Sequence, residues 1–552
     1  MRVEKLVFLI IILYGSVPYG CQPPCSASGM VYPRLGMPAF VQHSGMLNIT
    51  FTGGTEVQSI EAYNLTHGVR LEIVEIMKGE DFTTVRVDLP TNLTVGLYGL
   101  RLYVDGNVME EPNCLCVWVP DDDILILHAT DLHFSTVRER MGLETYSPRY
   151  YLNTLIQEAN ALKPDLVIMT GDNTDSQLEE DHAEFRRLLA GFNVPVILVI
   201  GNHDFQRLSP ELFITYQGPD HGVVDLGWLS IYTISTDDGE IVREHIDWLN
   251  QSLQENEDRK IVCFHHPPAS LNESDSGGLN RLLRILSQGG VEICLNGHMH
   301  VDMIEEYYGV TYVTTESITY SQKHHCRLIK IEKDNPMDYD TLYTLGSFLT
   351  VSTPNDGSMQ VYLARASNPT DEEIELYPMV KLEWTDKELN IEGAEPLQMF
   401  KVGDTRVAVL KVSVKPGEKK QVRAYYQLDE ASPVIENPTV GIVEDKLNVT
   451  FSTVDQGWGV MDVKIEVTGD VALSQTVKPE DSRVSAMIKV GDKWKKVTVN
   501  IVVTDYAGNT AEWTEEIERG NMKILIVATI VALCAGVVAG FSIKKARRRS
   551  SG

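Results

Sequence analysis

The stretch that decides the fold of the central part of this chain is Ile124-Leu125-Ile126-Leu127-His128-Ala129-Thr130-Asp131-Leu132-His133. It begins with an apolar run, which is typical of a buried strand. It ends with an aspartate and a histidine two positions apart. Side chains at i and i+2 of an extended chain point to the same side, so Asp131 and His133 can face one pocket. The stretch predicts a strand that delivers two metal-ligating side chains at its carboxyl end.

Four further polar motifs follow apolar segments later in the chain. They are Gly171-Asp172-Asn173, Gly201-Asn202-His203-Asp204, Phe264-His265-His266-Pro267 and Gly297-His298-Met299-His300. Each motif carries at least one side chain with an oxygen or nitrogen that binds metals. A lone Gly-Asp or Asp-x-His is common, but five such motifs in order, each after an apolar strand, make coincidence implausible.

Strands and helices alternate throughout this region. The predicted strands are 124–129, 166–170, 194–200, 261–264 and 291–295, and the predicted helices are 148–162, 178–191, 240–254 and 279–287. This alternation indicates an α/β domain with parallel sheet character. Open α/β sheets place their sites at the carboxyl ends of the strands. We therefore expect the five motifs to meet at the edge of a single sheet, around a pair of metal ions.

The donor set indicates which metals to expect. Two closely spaced cations need a bridging carboxylate, and Asp172 can provide it. Mixed oxygen and imidazole donors suit a pair of divalent transition-metal ions such as Mn, Fe, Zn or Co. Seven ligands are predicted: Asp131, His133, Asp172, Asn202, His265, His298 and His300.

With all five motifs in place, residues 124–331 resemble the calcineurin-like metallophosphoesterase family. The resemblance implies a central sandwich of two mixed sheets flanked by helices. It also implies a division of the ligands between two metals. Asp131, His133 and His300 would hold one metal; Asn202, His265 and His298 would hold the other, with Asp172 between them.

The resemblance also assigns roles beside the ligands. His265 is preferred to His266 as the ligand because the family's ligand stands two residues before the proline; His266 would then lie at the substrate side of the pocket. His203 would donate a proton to the leaving group, or only orient the substrate. Asp175 would orient His203, as an aspartate at that spacing does in part of the family. Asp204 is an alternative donor, or a cap of the segment that follows.

These features predict a metal-dependent phosphoric ester hydrolase acting on small molecules by metal-activated water. Position 175 is an aspartate where the purple acid phosphatase branch carries a tyrosine, and the string from His265 to Pro268 resembles the phosphodiesterase-like branch. Phosphodiesters are therefore the favoured substrates. Two alternatives stay open: a phosphomonoesterase or nucleotidase, and a non-catalytic surface binding or adhesion protein with a relict metal domain.

The remaining sequence predicts modules on both sides of the central domain. Short alternating runs separated by turns indicate β-sandwich modules at 21–122 and 341–432 and an immunoglobulin-like β module at 433–520. The metallophosphoesterase domain would occupy 123–340. The flanking modules show no catalytic pattern, so we expect them to space the domain or to dock surface-layer or envelope partners.

Charge and hydropathy predict the location of the protein. The net charge of −29 disfavours a nucleic-acid polymer as partner, because binding would lack counterion release. Residues 1–20 resemble a signal peptide. Residues 524–543 carry no charge and precede a basic tail, which predicts a membrane helix within 521–552. We therefore expect a single-pass protein of the cell membrane, with the catalytic domain outside the cell and the C-terminal tail in the cytoplasm.

Overall fold

The computed structural model describes residues 29–64, 68–141, 148–176, 178–205, 210–237, 240–271, 276–477, 482–491 and 493–519. The predicted signal peptide and membrane helix lie outside these ranges. Within them, no helix is long and apolar enough to cross a bilayer. The chain separates into two compact units. The first holds the described residues up to 351 with 364–384 and 392–422; the second holds 352–363, 385–391 and the described residues from 423 onward.

The N-terminal module contains eight strands. They are β1 (Met30–Tyr32), β2 (Ala39–Gln42), β3 (Met46–Thr52), β4 (Val57–Tyr63), β5 (Gly68–Lys78), β6 (Phe82–Asp88), β7 (Gly96–Val104) and β8 (Asn107–Trp118). They pair in the order β1-β3-β6-β5-β4-β7-β8-β2. Strand β2, at one end of this order, also contacts β3. The predicted sandwich is thus one continuous sheet that curls around a single apolar core.

The central domain follows, with thirteen strands and seven helices among its described residues. Its elements are β9 (Asp123–Ala129), α1 (Thr136–Met141), α2 (Pro148–Leu162), β10 (Leu166–Thr170), α3 (Glu179–Leu189), β11 (Val196–Val199), α4 (Asn202–Phe205), α5 (Glu211–Tyr216), β12 (Gly222–Asp225), β13 (Leu229–Thr233), β14 (Thr236–Asp237), β15 (Glu240–Ile241), α6 (Arg243–Gln254), β16 (Arg259–Cys263), α7 (Ser276–Gln288), β17 (Ile293–Asn296), β18 (Met303–Tyr307), β19 (Val310–Thr314), β20 (His325–Glu332) and β21 (Asp338–Thr344).

The strands of the central domain form two main sheets. One has the order β11-β10-β9-β20-β21, and the other β12-β13-β16-β17-β19-β18. Within each sheet, the strands that precede the motifs run parallel to one another, as predicted, while β9 also pairs antiparallel with β20. The expectation of a single sheet edge was wrong, because β9 to β11 belong to the first sheet and β16 and β17 to the second. Apolar side chains from both sheets share one core between the layers.

The predicted helices agree closely with the structure, with one informative exception. The helix predicted at 148–162 is α2, with Pro148 at its start, where a missing N–H costs nothing. The helix predicted at 240–254 begins only at Arg243. Its first two residues instead form β15, which pairs with β14. Residues just before an amphipathic helix can instead pair with the strand that precedes them, and helical periodicity carries no sign of that pairing.

The N-terminal module packs directly into the central domain. Met37 lies in the core between the two central sheets. The N–H of Leu198 on β11 donates to the carbonyl of Gly36, so this segment covers the open edge of the first sheet. Glu111 is fully buried between Arg34 and Arg186. We predicted a spacing or docking module, whereas these contacts make it part of the central domain's packing.

The residues of the third module are divided between the first and the second unit. Its strands are β22 (Leu349–Val351), β23 (Val361–Ser367), β24 (Ile374–Leu376), β25 (Met379–Glu383), β26 (Asn390–Glu392), β27 (Glu395–Val402), β28 (Thr405–Val414) and β29 (Lys419–Tyr425). Strand β28 pairs with β24, β25 and β27. Four consecutive residues of β28, from Val407 to Leu410, are buried, and burial alternates with partial exposure only from Lys411 to Val414.

The last module is a two-sheet β structure within the second unit. Its strands are β30 (Val434–Val443), β31 (Lys446–Val454), β32 (Val460–Gly469), β33 (Leu473–Val477), β34 (Arg483–Lys489), β35 (Lys496–Asp505) and β36 (Thr510–Glu518). The sheet orders are β30-β31-β34 and β33-β32-β35-β36. One apolar core lies between the sheets. In the turn that follows β35, the buried Asp505 carboxylate accepts the N–H groups of Ala507 and Asn509.

Candidate metal centre

The structure brings all seven predicted ligands together, from both sheets of the central domain. Strand β9 delivers Asp131 and His133, β10 delivers Asp172, and Asn202 follows β11. The three histidines come from the other sheet: His265 follows β16, and His298 and His300 follow β17. The carboxyl ends of parallel strands from both layers therefore face one region.

Five of the seven ligand positions have a left-handed backbone. The φ angles are 55° at Asp131, 51° at His133, 50° at Asp172, 67° at His298 and 53° at His300. Residues with a Cβ seldom adopt this region, and such strain concentrates at functional sites. The backbone turns sharply after each strand, which aims neighbouring side chains at one centre.

The Asp131 carboxylate is the meeting point of one group of donors. Its Oδ2 atom accepts the Thr130 hydroxyl over 2.7 Å and the His298 N–H over 2.9 Å. Its Oδ1 atom lies 3.2 Å from His300 Nε2 and 3.8 Å from His133 Nε2. The Nε2 atoms of His133 and His300 lie 3.3 Å apart. Oδ2 is thus held by the protein while Oδ1 and the two imidazoles face each other.

Asp172 lies between this group and the remaining donors. Its Oδ2 atom is 3.7 Å from His133 Nε2 and 3.2 Å from His265 Nε2. Its Oδ1 atom accepts the His203 N–H over 2.8 Å. Nearby, Nδ1 of His298 lies 3.1 Å from the side-chain oxygen of Asn202. This placement matches the bridging position that the family resemblance implies for Asp172.

The tautomer of His265 leaves one nitrogen free for a cation. Its Nδ1–H donates to the carbonyl of Thr170 over 2.8 Å. The Nε2 atom is buried and makes no well-directed hydrogen bond, although it lies 3.2 Å from Asp172 Oδ2. A backbone carbonyl on the far nitrogen is the usual support of a metal-binding imidazole. A buried, unpartnered nitrogen beside two carboxylates fits a metal ligand better than a packed core histidine.

Electrostatics at the centre also favour cations. Burial alone would favour neutral Asp172, but His265, His133 and His203 hold its pKa well below the ordinary value. Burial would likewise lower the pKa of His265, yet Asp172 and Asp131 raise it to about 9. The buried carboxylates therefore attract positive charge strongly, and the donor set suits a pair of divalent transition metals.

Two glycines allow the close approach of the motifs. A Cβ at Gly201 would collide with the backbone nitrogen of Asp172, and one at Gly297 with the Thr130 hydroxyl. Neither glycine has a positive φ, so the reason for glycine is space and not conformation. Gly201 therefore lets the third motif pack against the second, and Gly297 lets the fifth motif pack against the first.

The predicted proton donor His203 lies beside the ligands, and its side chain is about a third exposed. Its Nδ1 atom donates to the backbone carbonyl of Asp175 over 3.2 Å. The Asp175 carboxylate is 3.6 Å from the same nitrogen, 3.4 Å from His133 Nδ1 and 2.9 Å from Arg138 Nε. Asp175 is thus near His203 as predicted, but its main-chain oxygen makes the shorter contact.

His266, predicted at the substrate side, is almost fully buried. Its Nδ1 atom bonds the Thr236 hydroxyl over 2.9 Å, and its ring centroid lies 4.1 Å from that of His298. Burial and the neighbouring imidazoles of His265 and His298 hold its pKa far below the ordinary value. The ring is therefore neutral, and it packs against the His298 ring.

Sequence reasoning missed three contributors. Tyr320 stacks on His300 with centroids 5.8 Å apart and planes at 12°, and its ring edge meets His133. Arg138 donates to the Tyr320 hydroxyl and pairs with Asp175. The Ser317 hydroxyl donates to the Asp131 carbonyl. None follows a strand in a recognisable motif, so no signal in the sequence marks them.

A second histidine group does not fit a cation as well. Asp220 lies 2.7 Å from His221 Nδ1 and 3.5 Å from His245 Nε2. The Ser235 N–H donates to His245 Nδ1 over 3.4 Å, so the proton of the neutral ring resides on Nε2. Asp220 then accepts N–H groups from both rings, and the three side chains satisfy one another.

Comparison with known proteins agrees with this geometry. The calcineurin-like phosphoesterase family matches residues 124–302, which contain every predicted ligand. This part of the chain is a calcineurin-like phosphoesterase domain. The family assignment confirms the prediction of a metal-dependent phosphoester hydrolase. The calcineurin-like phosphoesterase domain spans both sheets that converge on the metal centre.

Several curated relatives align with the calcineurin-like phosphoesterase domain. A probable cyclic nucleotide phosphodiesterase of Rhodococcus erythropolis is 25% identical over 265 residues, covering 42% of this chain and 87% of the relative. The 3',5'-cyclic adenosine monophosphate phosphodiesterase of Escherichia coli is 26% identical, covering 37% and 79%. A probable glycerophosphodiester phosphodiesterase of Arcobacter nitrofigilis is 26% identical, covering 32% and 72%.

Solved structures also resemble the chain. A purple acid phosphatase from yellow lupin seeds superposes with a TM-score of 0.35 at 11% identity, covering 55% of this chain and 72% of that one. A structure titled as a novel archaeal phosphodiesterase gives a TM-score of 0.23 at 15% identity, covering 40% of this chain and 100% of that one.

Proposed function

We propose that this chain is a dinuclear phosphodiesterase that hydrolyses small-molecule phosphodiesters outside the cell. The observation that carries the proposal is the convergence of two buried carboxylates, four imidazoles and one amide oxygen at the carboxyl ends of strands from two sheets. Asp131, His133 and His300 would hold one cation, and Asn202, His265 and His298 the other, with Asp172 shared.

The preference for diesters rests on the relatives. The three described above are named as phosphodiesterases, and the calcineurin-like domain covers most of each. Their substrates differ, so the relatives support a reaction class and no single substrate. The sequence agrees at position 175, where the purple acid phosphatase branch would have tyrosine.

Two bound cations would supply hydroxide from water near neutral pH and would offset negative charge on the phosphoryl oxygens. The protein's own residues would complete the reaction. In its doubly protonated form, His203 would give its Nε2 proton to the departing alkoxide while its Nδ1–H stays on the Asp175 carbonyl. The Asp175 carboxylate lies 3.6 Å from His203 Nδ1 and would help to orient the ring. Arg138 would keep this carboxylate in place through its 2.9 Å contact.

The test compares bis-(p-nitrophenyl) phosphate with p-nitrophenyl phosphate, with and without added Mn²⁺. Hydrolysis that requires metal and favours the diester supports the proposal. Preference for the monoester would replace it with a phosphomonoesterase or nucleotidase. Metal binding without hydrolysis of either compound, across Mn, Zn, Fe and Co, would favour a non-catalytic binding protein.

The proposed location rests on sequence features outside the described residues. An apolar segment at 524–543 followed by Lys544, Lys545 and three arginines supports a single membrane span with a cytoplasmic tail. The β modules could then meet envelope partners. Added protease that removes the phosphoesterase domain from intact cells would support this orientation. Protection of the domain until the cells are lysed would contradict it.

A further inference from the structure

The last carbonyls of helix α5 are held by groups from outside that helix. The final carbonyls of an α-helix have no partner within it. Here Arg34 donates to Ile214 O over 3.0 Å and to Thr215 O over 2.8 Å. Arg186 donates to Tyr216 O over 2.9 Å, and the Gly36 N–H donates to the next carbonyl over 2.9 Å. Four consecutive carbonyls are thus fixed, three of them by the N-terminal module.

The residue at the end of this row is Gln217, and its side chain turns inward. It is fully buried, and its Nε2 donates to His182 Nδ1 over 2.9 Å. Burial lowers the pKa of His182 to about 4, so this ring is neutral and carries its proton on the other nitrogen. That nitrogen, Nε2, lies 3.4 Å from the Thr174 hydroxyl. The direction of donation is therefore from Gln217 through His182 to Thr174.

The chain of hydrogen bonds ends at Asp204, which joins two ligand motifs. The Thr174 hydroxyl and N–H donate to Asp204 Oδ1 over 2.9 Å and 2.8 Å. Asp204 Oδ2 accepts the N–H groups of Gly201 and Asn173 over 3.0 Å and 3.1 Å. Asp204 therefore fixes the segment that carries Asn202 against the segment that carries Asp172. In all of these bonds Asp204 is the acceptor, and together they link two segments of the chain.

We propose that Gln217 and His182 are positioning residues through which the N-terminal module sets the placement of Asn202 in the metal centre. The N-terminal module fixes the end of α5, where Gln217 lies. Gln217, His182 and Thr174 form a hydrogen-bonded relay that ends at Asp204, which links the two ligand motifs. Each donor in the relay has one acceptor, so loss of one member leaves a buried polar group without its partner. The proposal rests on the metal ligands proposed above, but it concerns metal affinity and needs no turnover to be tested.

The experiment measures Mn²⁺ and Zn²⁺ affinity of the full chain by competition with a chelator, together with thermal unfolding. The variants are Gln217→Met, which keeps the volume and removes the donor, and Thr174→Val, which removes the hydroxyl. Thr174→Ser is the conservative variant that retains it. The matched control is Asn113→Ala, because Asn113 is also buried at this interface and donates to the carbonyls of Ala190 and Phe192.

We expect Gln217→Met and Thr174→Val to weaken the affinity for one of two cations about 10-fold. Thr174→Ser should restore it, and Asn113→Ala should lose thermal stability without losing metal affinity. Unchanged affinity in Gln217→Met would overturn the proposal even if Thr174→Val loses affinity, because Thr174 also bonds Asp204 directly. An equal loss in the control would overturn it too. If Gln217→Met does not fold, His182→Phe, which removes both ring nitrogens, decides in its place. If the wild-type chain binds two cations but hydrolyses no ester, the proposed reaction fails while the relay can still be tested.

Discussion

The Nε2 atom of His265 lies 3.2 Å from Oδ2 of Asp172, and both side chains are buried. The two residues come from different sheets, and 93 positions separate them along the chain. A bare imidazole nitrogen this close to a buried carboxylate needs a shared proton or a cation to be stable. This contact is therefore an electrostatic interaction that joins the two sheets at the metal centre.

The first prediction concerns Asp172. Asp172→Asn removes the charge at the bridging position and should lower metal affinity more than about 100-fold, because even supporting residues around a metal contribute 10–100-fold. Diesterase activity should fall with it. Metal content after dialysis, measured by elemental analysis, tests the first effect. Asp220→Asn is the control, since it makes the same change at a carboxylate that bonds two histidines, His221 and His245, outside the metal centre. A similar loss of metal in both variants would contradict the assignment.

His203 gives a prediction about leaving groups. His203→Ala should retain both cations yet slow the hydrolysis of alkyl diesters by about 10²–10⁴-fold, the usual contribution of a general acid. Bis-(p-nitrophenyl) phosphate should be affected far less, because nitrophenolate departs without a proton. The comparison of kcat for the two substrates, at matched metal content, is the measurement. An equal decrease for both substrates would remove His203 from proton transfer.

The close packing at Gly201 predicts a strong effect of a single methyl group. Gly201→Ala would push a Cβ into the backbone nitrogen of Asp172, so either the third motif or the bridging residue must move. Activity should fall at least about 100-fold, since small displacements at a catalytic centre have large effects. Gly54→Ala is the matched control, because nothing lies within 4 Å of a Cβ built there. Activity in Gly201→Ala close to that of the control would show that the segment adapts.

Glu158 predicts a pH-dependent stability. Its carboxylate is fully buried and accepts the N–H groups of Gly346, Phe348 and Leu349. Burial outweighs these bonds and raises its pKa from 4.5 to about 7. The folded state therefore binds the proton more tightly than the unfolded state. This contribution is fully present below pH 4.5 and is lost as the pH rises to about 7, by about 3 kcal/mol.

The measurement for Glu158 is the free energy of unfolding in urea between pH 4 and 8, for wild type and Glu158→Gln. The glutamine side chain does not titrate, so the difference between the two proteins isolates Glu158. Wild type should lose stability relative to the variant as the pH rises through this window. A difference that stays constant with pH would contradict the raised pKa.

Glu111 predicts the opposite dependence. Burial would raise its pKa, but the guanidinium groups of Arg186 and Arg34 lower it to about 2. Its stabilisation is present above pH 4.5 and is lost as the pH falls toward 2. At neutral pH, Glu111→Gln should destabilise the protein by about 3 kcal/mol or more, because the buried Arg34 and the largely buried Arg186 lose their charged partner. Urea unfolding measures this loss.

The exposed pair of Glu75 and Arg86 is the control for Glu111. Their side chains lie 3.0 Å apart and are 48% and 36% exposed. Glu75→Gln should therefore change stability by less than about 1 kcal/mol. Equal effects of the two substitutions would show that burial adds nothing to the interface pair.

The convergence of the candidate ligand residues was predictable because their signals are local. Asp131 and His133 follow an apolar strand by a few residues, and the same holds for Asp172 and for His298. Apolar runs fix where a strand ends, and the polar residue that follows is then placed at the sheet's carboxyl edge. For the same reason, helix α2 and strand β10 appear at the predicted positions.

The placement of supporting residues was not predictable, because their contacts join distant positions. Tyr320 reaches His300 only once the chain has passed through β18 and β19, and Gln217 reaches His182 from another helix. Nothing in the neighbouring sequence of Gln217 distinguishes it from a surface glutamine.

The sequence by itself determined the chemistry: which donors the chain offers, in what order, and at the ends of which strands. Local periodicity and turn residues encode this, because they depend on neighbours within a few positions. Only the tertiary structure decided that two sheets share the metal centre and that the N-terminal module covers the edge of one of them. Those features arise from the burial of apolar faces and paired charges that lie far apart along the chain, such as Glu111 and Arg186, and packing between distant segments leaves no period in the sequence.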